Sequence, residues 1–179
     1  AEVLPGGGRA FPGGQFALGV ASQLWLQPLR ELESRPIPGT EGAWAPDISP
    51  DGRMVAFSVF GESRTNIKVA PLDGGPPLTV ATSGDLASPS WGPNGRVYFV
   101  DAAGHRILRA SAAGGPVDTV TVLPEFEAGA RILWLDVLPD GQGAVATIGV
   151  QTQGRLSTHE VHAIDLEAGE SERVAAGVY

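Results

Sequence analysis

The sequence predicts an all-β fold, a β-propeller of about four four-stranded antiparallel blades. One turn motif recurs roughly every 43 residues, with prolines at positions 12, 50, 93 and 139. Short apolar stretches follow each copy of this turn, as strands covered on both faces do. The 25 glycines and 15 prolines among 179 residues are dispersed between these stretches, which indicates many tight turns.

The recurring turn carries a proline, then Asp or Asn, then glycine. Proline presets φ for the first turn position, Asp and Asn tolerate the next, and glycine supplies positive φ. The motif therefore predicts a hairpin turn between two antiparallel strands, with a weaker first copy. Its structural residues are Pro12 and Gly14; Pro50, Asp51 and Gly52; Pro93, Asn94 and Gly95; and Pro139, Asp140 and Gly141.

Four strands are expected in each repeat, which matches the blade period of propellers. The strands that lead into the turn are expected at 3–9, 44–48, 88–91 and 133–137, and those that follow it at 16–18, 54–57, 97–100 and 144–148. Third strands are expected at 23–29, 66–72, 106–109 and 160–166, and outer strands at 35–38, 78–82, 117–122 and 172–175. The blades then span 1–43, 44–86, 87–130 and 131–179 of a single domain, with an insertion at 151–157.

Composition excludes several classes of protein. The net charge is −8 with a pI near 4.8, which disfavours binding to nucleic acid because its phosphates would be repelled. There is no cysteine, and no apolar run approaches the roughly 20 residues of a membrane helix. The N-terminus lacks both an initiator Met and the pattern of a signal peptide, so we expect a processed piece of a longer chain.

The turn motifs also carry a family resemblance. The stretches from Trp91 to Gly95 and from Ile48 to Arg53 resemble the W-S-P-D-G hallmark of TolB-like propeller repeats. The stretches 24–29, 35–43, 74–77, 111–115 and 138–141 are similar to the propeller sensor region of bacterial membrane-anchored serine/threonine kinases. No kinase motif is present, so this resemblance implies a sensor part without phosphotransfer activity.

The resemblance implies a non-catalytic module that recognises a protein or small molecule, in an extracytoplasmic position at the periplasm or cell surface. Two alternatives stay open: the substrate-gating propeller of a prolyl-oligopeptidase-like peptidase, and a TolB-like envelope assembly factor. No catalytic residue, cofactor site or metal site is expected. Neither a Gly-x-Ser-x-Gly motif nor a phosphate-binding loop occurs in the sequence.

Three sets of residues are candidates for a functional role. His159 and His162 are three apart on a predicted strand, which disfavours a shared metal. Asp51, Asn94 and Asp140 would form a cation-binding ring at the channel mouth, but turn chemistry is favoured for them. The four tryptophans are expected to pack between blades rather than to line a ligand surface. They are Trp25, Trp44, Trp91 and Trp134.

Partners are expected at the blade-end loops and the central channel. Four blades are also expected to belong to a larger propeller, which leaves open blade edges in the isolated chain. Because unpaired strand edges invite pairing with another chain, we expect self-association through them.

Overall fold

A computed structural model describes residues 2–6, 23–28, 32–84, 87–123, 130–152 and 155–177. Their strands form four antiparallel sheets in which sequence neighbours are also spatial neighbours. The first sheet contains β1 (Glu2–Gly6), β2 (Gln23–Gln27) and β3 (Arg35–Pro36). The second contains β4 (Ala43–Ile48), β5 (Met54–Phe60), β6 (Thr65–Pro71) and β7 (Leu78–Ser83).

The third sheet contains β8 (Ser90–Trp91), β9 (Arg96–Val100), β10 (Arg106–Ser111) and β11 (Val117–Val122). The fourth contains β12 (Ala130–Val137), β13 (Gly143–Thr152), β14 (Arg155–Asp165) and β15 (Glu170–Gly177). Each sheet packs against the next one in the chain, and the first strands of the last three sheets lie side by side. This arrangement confirms the predicted all-β propeller fold.

The first sheet differs from its prediction. The segment expected to lead into the first turn, β1, pairs directly with β2, from Glu2 opposite Gln27 to Gly6 opposite Gln23. It therefore takes the place that β5 takes beside β6 in the second sheet. The first turn, with Pro12 and Gly14, and the strand expected at 16–18 lie outside the described residues. Within the described part of the chain this sheet has three strands.

The fourth sheet has longer central strands than expected. An insertion is predicted at residues 151–157, and β13 and β14 extend into this stretch and pair as far as Thr152 opposite Arg155. The added residues lengthen a hairpin because ladder pairing satisfies their backbone N–H and C=O groups, which an unpaired loop would leave to solvent.

One irregularity recurs where the outer strand joins each of the last three sheets. The register shifts between Ile67 and Lys68, between Ile107 and Leu108, and between Val161 and His162. At each bulge, one residue of the outer strand has no partner in the strand register. These residues are Val80, Val120 and Val174. The shared bulge shows that the three sheets are built in the same register.

The hydrophobic core consists of layers between successive sheets. Val55 and Phe57 of β5 pack toward the first sheet, whereas Ala56 between them packs toward the third. All three side chains are fully buried. Because successive side chains along a strand point to opposite faces, one strand contributes to two interfaces. The strands after the turns are therefore near-continuous apolar runs. Burial of one such large side chain stabilises the fold by about 1.5–3 kcal/mol.

Candidate functional site at the repeat-turn end

In the second, third and fourth sheets the recurring turns connect the first and second strands and lie at one end of the propeller, here called the repeat-turn end. In the second sheet the N–H of Gly52 donates to the carbonyl of Ser49 at 2.8 Å, and Gly52 has φ of +69°. In the fourth sheet the N–H of Gly141 donates to the carbonyl of Leu138 at 2.8 Å, with φ of +72°. Pro50 and Pro139 occupy the second position of these two turns.

The turn of the third sheet is one residue shorter. Asn94 and Gly95 both have positive φ, 58° and 66°, and the N–H of Arg96 donates to the carbonyl of Pro93. Pro93, Asn94 and Gly95 thus form a three-residue hairpin loop between Gly92 and Arg96, whose backbone groups are hydrogen-bonded. The sequence aligns Pro93 with Pro50 and Pro139, whereas the structure places Pro93 at the first position of its turn and the other two prolines at the second position of theirs.

The turn carboxylates bond to their own turns. Asp51 Oδ1 accepts from the Ser49 hydroxyl at 2.6 Å and from the N–H of Arg53 at 3.1 Å. The Ser49 hydrogen bond, followed by that of Arg53, lowers the pKa of Asp51. Asp140 Oδ1 accepts from the N–H of Gln142 at 3.0 Å. In the described ranges, no three acidic or His side chains cluster as metal ligands would.

The first strands of neighbouring sheets are tied together by two equivalent hydrogen bonds. Asp47 Oδ2 accepts from the N–H of Trp91 at 2.7 Å, and Ser90 Oγ accepts from the N–H of Val137 at 2.9 Å. Asp47 and Ser90 each stand three residues before the turn proline, and Trp91 and Val137 stand two before theirs. A side-chain oxygen of one blade thus satisfies a backbone N–H of the next blade.

Asp47 is partly buried and lies near a second carboxylate, that of Asp136. Burial raises its pKa, the N–H of Trp91 lowers it, and the carboxylate of Asp136 on β12 raises it. The first strands of the second, third and fourth sheets, β4, β8 and β12, lie side by side in that order. Sequence reasoning missed both positions, although their constant offset from the turn proline was a usable signal.

The tryptophans only partly follow the prediction that they pack between blades. Trp91 is buried between the second and third sheets, and its indole N–H donates to the carbonyl of Asp47 at 2.9 Å. Trp44 instead stacks on Phe60 of its own sheet, with ring centroids 5.0 Å apart. Trp25 and Trp134 are 36% and 49% exposed, so neither is packed between two of the described sheets.

His162 lies in a polar contact on the fourth sheet. His162 Nε2 lies 3.1 Å from Glu160 Oε2, and Glu160 Oε1 accepts from Arg173 Nη1 at 2.8 Å. The bonds from Arg173 and then from His162 lower the pKa of Glu160. His162 therefore belongs to a three-residue polar contact on the fourth sheet. The side chain of His159 lies outside the described part of the structure.

With these repeats and turns in place, the family can be assigned from a match over residues 27–174 to Gmad1, the "Lipoprotein LpqB beta-propeller domain". The chain belongs to this family. The match covers the second to fourth sheets almost entirely; of the first sheet it includes β3 and the last residue of β2. Membership in the LpqB propeller family agrees with the TolB-like repeat that the turn motifs resemble.

Solved structures share the fold of this LpqB-family propeller at low sequence identity. The putative TolB from Agrobacterium tumefaciens superposes with a TM-score of 0.70 at 17% identity, over 88% of this chain and 58% of that one. TolB from Acinetobacter baumannii gives 0.66 at 18% identity, over 87% and 38%. A prolyl endopeptidase gives 0.59 at 15% identity, over 88% and 26%.

One curated relative is more similar in sequence but far longer. Tricorn protease homolog 1 of Streptomyces coelicolor is 33% identical over 87 residues, which are 44% of this chain and 8% of the relative. The chain thus spans only a small part of this relative and about three fifths or less of the TolB chains. Within the residues described, no helix has the length and apolar character needed to cross a bilayer.

Proposed function

We propose that this LpqB-family propeller is a non-catalytic recognition module in the extracytoplasmic part of a larger bacterial protein. The observation that carries the proposal is membership in a propeller family described by a lipoprotein. Lipoproteins are held at a membrane surface by acyl chains, which leaves the protein domain free to contact partners beside the membrane.

The proposed recognition surface is the repeat-turn end. The turns are exposed at Asp51, Gly52 and Asp140, whereas Val55 and Ala144 on the strands behind them are buried. They are also held in place, because the inter-blade bonds of Asp47 and Ser90 lie directly before them. Exposed turns on a rigid scaffold are the usual location of binding residues. A protein or a small molecule is the proposed partner, and the chain's acidity argues against nucleic acid.

Three parent proteins are compatible with such a module, and each remains a proposal. The sensor region of a membrane-anchored serine/threonine kinase is supported by the motif resemblance in 24–29 and 35–43. The substrate-gating propeller of a peptidase is supported by similarity to Tricorn protease homolog 1. An envelope assembly factor is supported by the shared fold with the TolB structures. The domains encoded beside this one in the parent gene distinguish them.

Site-specific photo-crosslinking tests the recognition surface. A photoreactive residue at Arg53 on the repeat-turn end is compared with one at Glu62, in the exposed hairpin at the opposite end. Both are introduced into the full parent protein in its own bacterium. Covalent adducts from position 53 and none from position 62 are expected. Adducts from position 62 alone, or from neither position, would contradict the proposed surface.

A further inference from the structure

We infer that Trp44, Phe60 and Ser88 form a site for a short, neutral, proline-rich peptide between the second and third sheets. The site lies at the start of β4 and the end of β5, away from the repeat turns. It is therefore independent of the recognition surface proposed above. The crosslinking comparison detects partner proteins, whereas a peptide of a few residues adds no protein to the chain.

Two hydrogen-bonding groups of this site are buried and unused. The indole N–H of Trp44 and the hydroxyl of Ser88 have no hydrogen-bond partner in the described part of the chain. Ser88 is only 5% exposed. Folded proteins leave few such groups unsatisfied, because each one lowers the stability of the fold. Two of them at one interface indicate a use other than folding.

Backbone pairing places the two groups beside the same residue. Ser58 is the partner of Trp44 in the strand register, so their side chains point to the same face of the second sheet. The Ser58 hydroxyl donates to the carbonyl of Ala87, which directly precedes Ser88. Trp44 and Ser88 are therefore both neighbours of Ser58, one within the second sheet and one from the segment that leads into β8.

A half-exposed aromatic ring completes the site. Phe60 lies two positions after Ser58 on β5 and therefore on the same face of the sheet. Its ring stacks on Trp44 with centroids 5.0 Å apart and 14° between the ring planes, and it is 48% exposed. Phe60 offers an apolar surface to a ligand. Because the two polar groups are buried, we expect this ring to move when a ligand enters.

The backbone of β4 is strained at the same place. Ala45 has φ of +46°, although it has a Cβ and precedes Pro46. Residues other than glycine rarely adopt this conformation, and a residue before proline prefers extended backbone. Ala45 and Pro46 also form the bulge between Trp44 and Asp47, where neither has a partner in the strand register. Strain of this kind is concentrated at binding and catalytic sites.

The two polar groups decide the chemistry of the ligand. An indole N–H only donates and a hydroxyl can also donate, so the ligand must supply acceptors. A proline-rich segment supplies them, because its carbonyls make no internal hydrogen bonds and its prolines have no N–H to satisfy. Prolyl rings also dock on aromatic side chains. Trp44, Phe60 and Ser88 carry no charge, so the ligand that fits them is neutral.

The indole N–H signals in an NMR titration test the inference. The chain has four tryptophans, and Trp44→Phe assigns the signal of Trp44. The probe is a capped hexaproline peptide, and a capped hexapeptide of alternating Gly and Ser is the control. Hexaproline should shift the Trp44 signal downfield and saturably, because a carbonyl then accepts this N–H. The signals of Trp91, which already donates to Asp47, and of exposed Trp134 should not move.

Two variants separate binding from folding. Ser88→Ala removes only the hydroxyl and should weaken the binding of hexaproline about fivefold, the effect of one hydrogen bond. It should not lower the urea midpoint of unfolding, because this hydroxyl has no partner in the folded chain. Ser58→Ala is the matched control and should lower the midpoint, since its hydroxyl is bonded to Ala87. An equal fall of the midpoint in both variants would overturn the inference.

A neutral sugar is the competing ligand. If maltotriose shifts the Trp44 signal and hexaproline does not, the assignment of a proline-rich ligand is overturned. It is also overturned if the Gly-Ser peptide shifts the signal as far as hexaproline does, because the prolyl ring then contributes nothing. A Trp44 signal that stays in place up to the solubility limit of hexaproline has the same consequence. None of these results bears on the repeat-turn end, which the crosslinking comparison tests separately.

Discussion

Asp47 and Trp91 bind each other twice across the interface between the second and third blades. The Asp47 carboxylate accepts the Trp91 backbone N–H at 2.7 Å, and the Asp47 carbonyl accepts the Trp91 indole N–H at 2.9 Å. Both residues are partly or fully buried, so neither donor has water as an easy substitute. This pair fixes the register between two first strands that no ladder hydrogen bonds connect.

Asp47→Ala is expected to lower the free energy of unfolding by about 1–3 kcal/mol, because it leaves the buried Trp91 N–H without an acceptor. Asp73→Ala is the matched control, since Asp73 is exposed in the second turn of the same blade. Urea denaturation followed by tryptophan fluorescence gives both values. Equal small losses in the two variants would show that the inter-blade bond contributes nothing.

The pH dependence of stability should reflect the raised pKa of Asp47. Where the folded pKa exceeds the unfolded value, the folded state binds more protons, so this group's stabilising contribution is present below pH 3.8 and is lost as pH rises through the folded pKa. Asp47→Asn should remove this loss from the pH profile of unfolding. An NMR titration that places the Asp47 pKa at or below 3.8 would refute the assignment.

Asp51 should change the pH dependence of stability in the direction opposite to that of Asp47, because its pKa is lowered. Its stabilising contribution is present above pH 3.8 and is lost as pH falls through the folded pKa. Ser49→Ala removes the hydrogen bond that is the largest cause of the shift and should move the pKa of Asp51 back toward its ordinary value. Titration of the Asp51 side chain by NMR in both proteins measures this.

Two turn glycines with nearly the same φ offer a matched comparison. A Cβ on Gly52, at φ of +69°, would meet nothing within 4 Å, whereas one on Gly141, at +72°, would lie 2.6 Å from Pro93 Cγ. Gly52→Ala should cost about 1–2 kcal/mol from left-handed backbone strain alone. Gly141→Ala should lower the free energy of unfolding by more than Gly52→Ala does. Adding Pro93→Ala to the Gly141→Ala variant should reduce this difference. Equal costs would mean that the two turns do not touch.

Two phenylalanines on β5 differ in how deeply they are buried. Phe57 is 0% exposed between the first and second sheets, whereas Phe60 is 48% exposed beside Trp44. Phe57→Ala should lower the free energy of unfolding by about 3–5 kcal/mol through lost burial and the cavity left behind. Phe60→Ala should cost clearly less, measured in the same denaturation assay. A similar loss in both would contradict the layered core.

The purified chain is expected to show no hydrolase and no phosphotransfer activity, as a recognition module would. The assay uses a generic ester, a casein substrate and ATP with a protein acceptor. Activity that survives repurification to constant specific activity would refute the non-catalytic proposal. Loss of activity on further purification would instead identify a contaminant.

The sequence by itself determined the repeat and hence the fold. Pro50, Asp51 and Gly52, with their counterparts, mark the hairpins, because few residues tolerate the required φ values. The apolar strands after the second and third turns, β5 and β9, are covered on both faces, as their unbroken hydrophobic runs predicted, whereas Val145 on β13 is 38% exposed. These features are local, so periodic spacing along the chain was enough to locate them.

Only the tertiary structure decided how one blade contacts the next. The acceptor roles of Asp47 and Ser90 join residues 44 and 47 positions apart, and nothing in either local stretch reveals the partner. The same holds for the tryptophans, since Trp91 is buried between sheets while Trp134, also on a first strand, is 49% exposed. Burial and pairing at these positions depend on which sheet packs beside them, and that neighbour is distant in sequence.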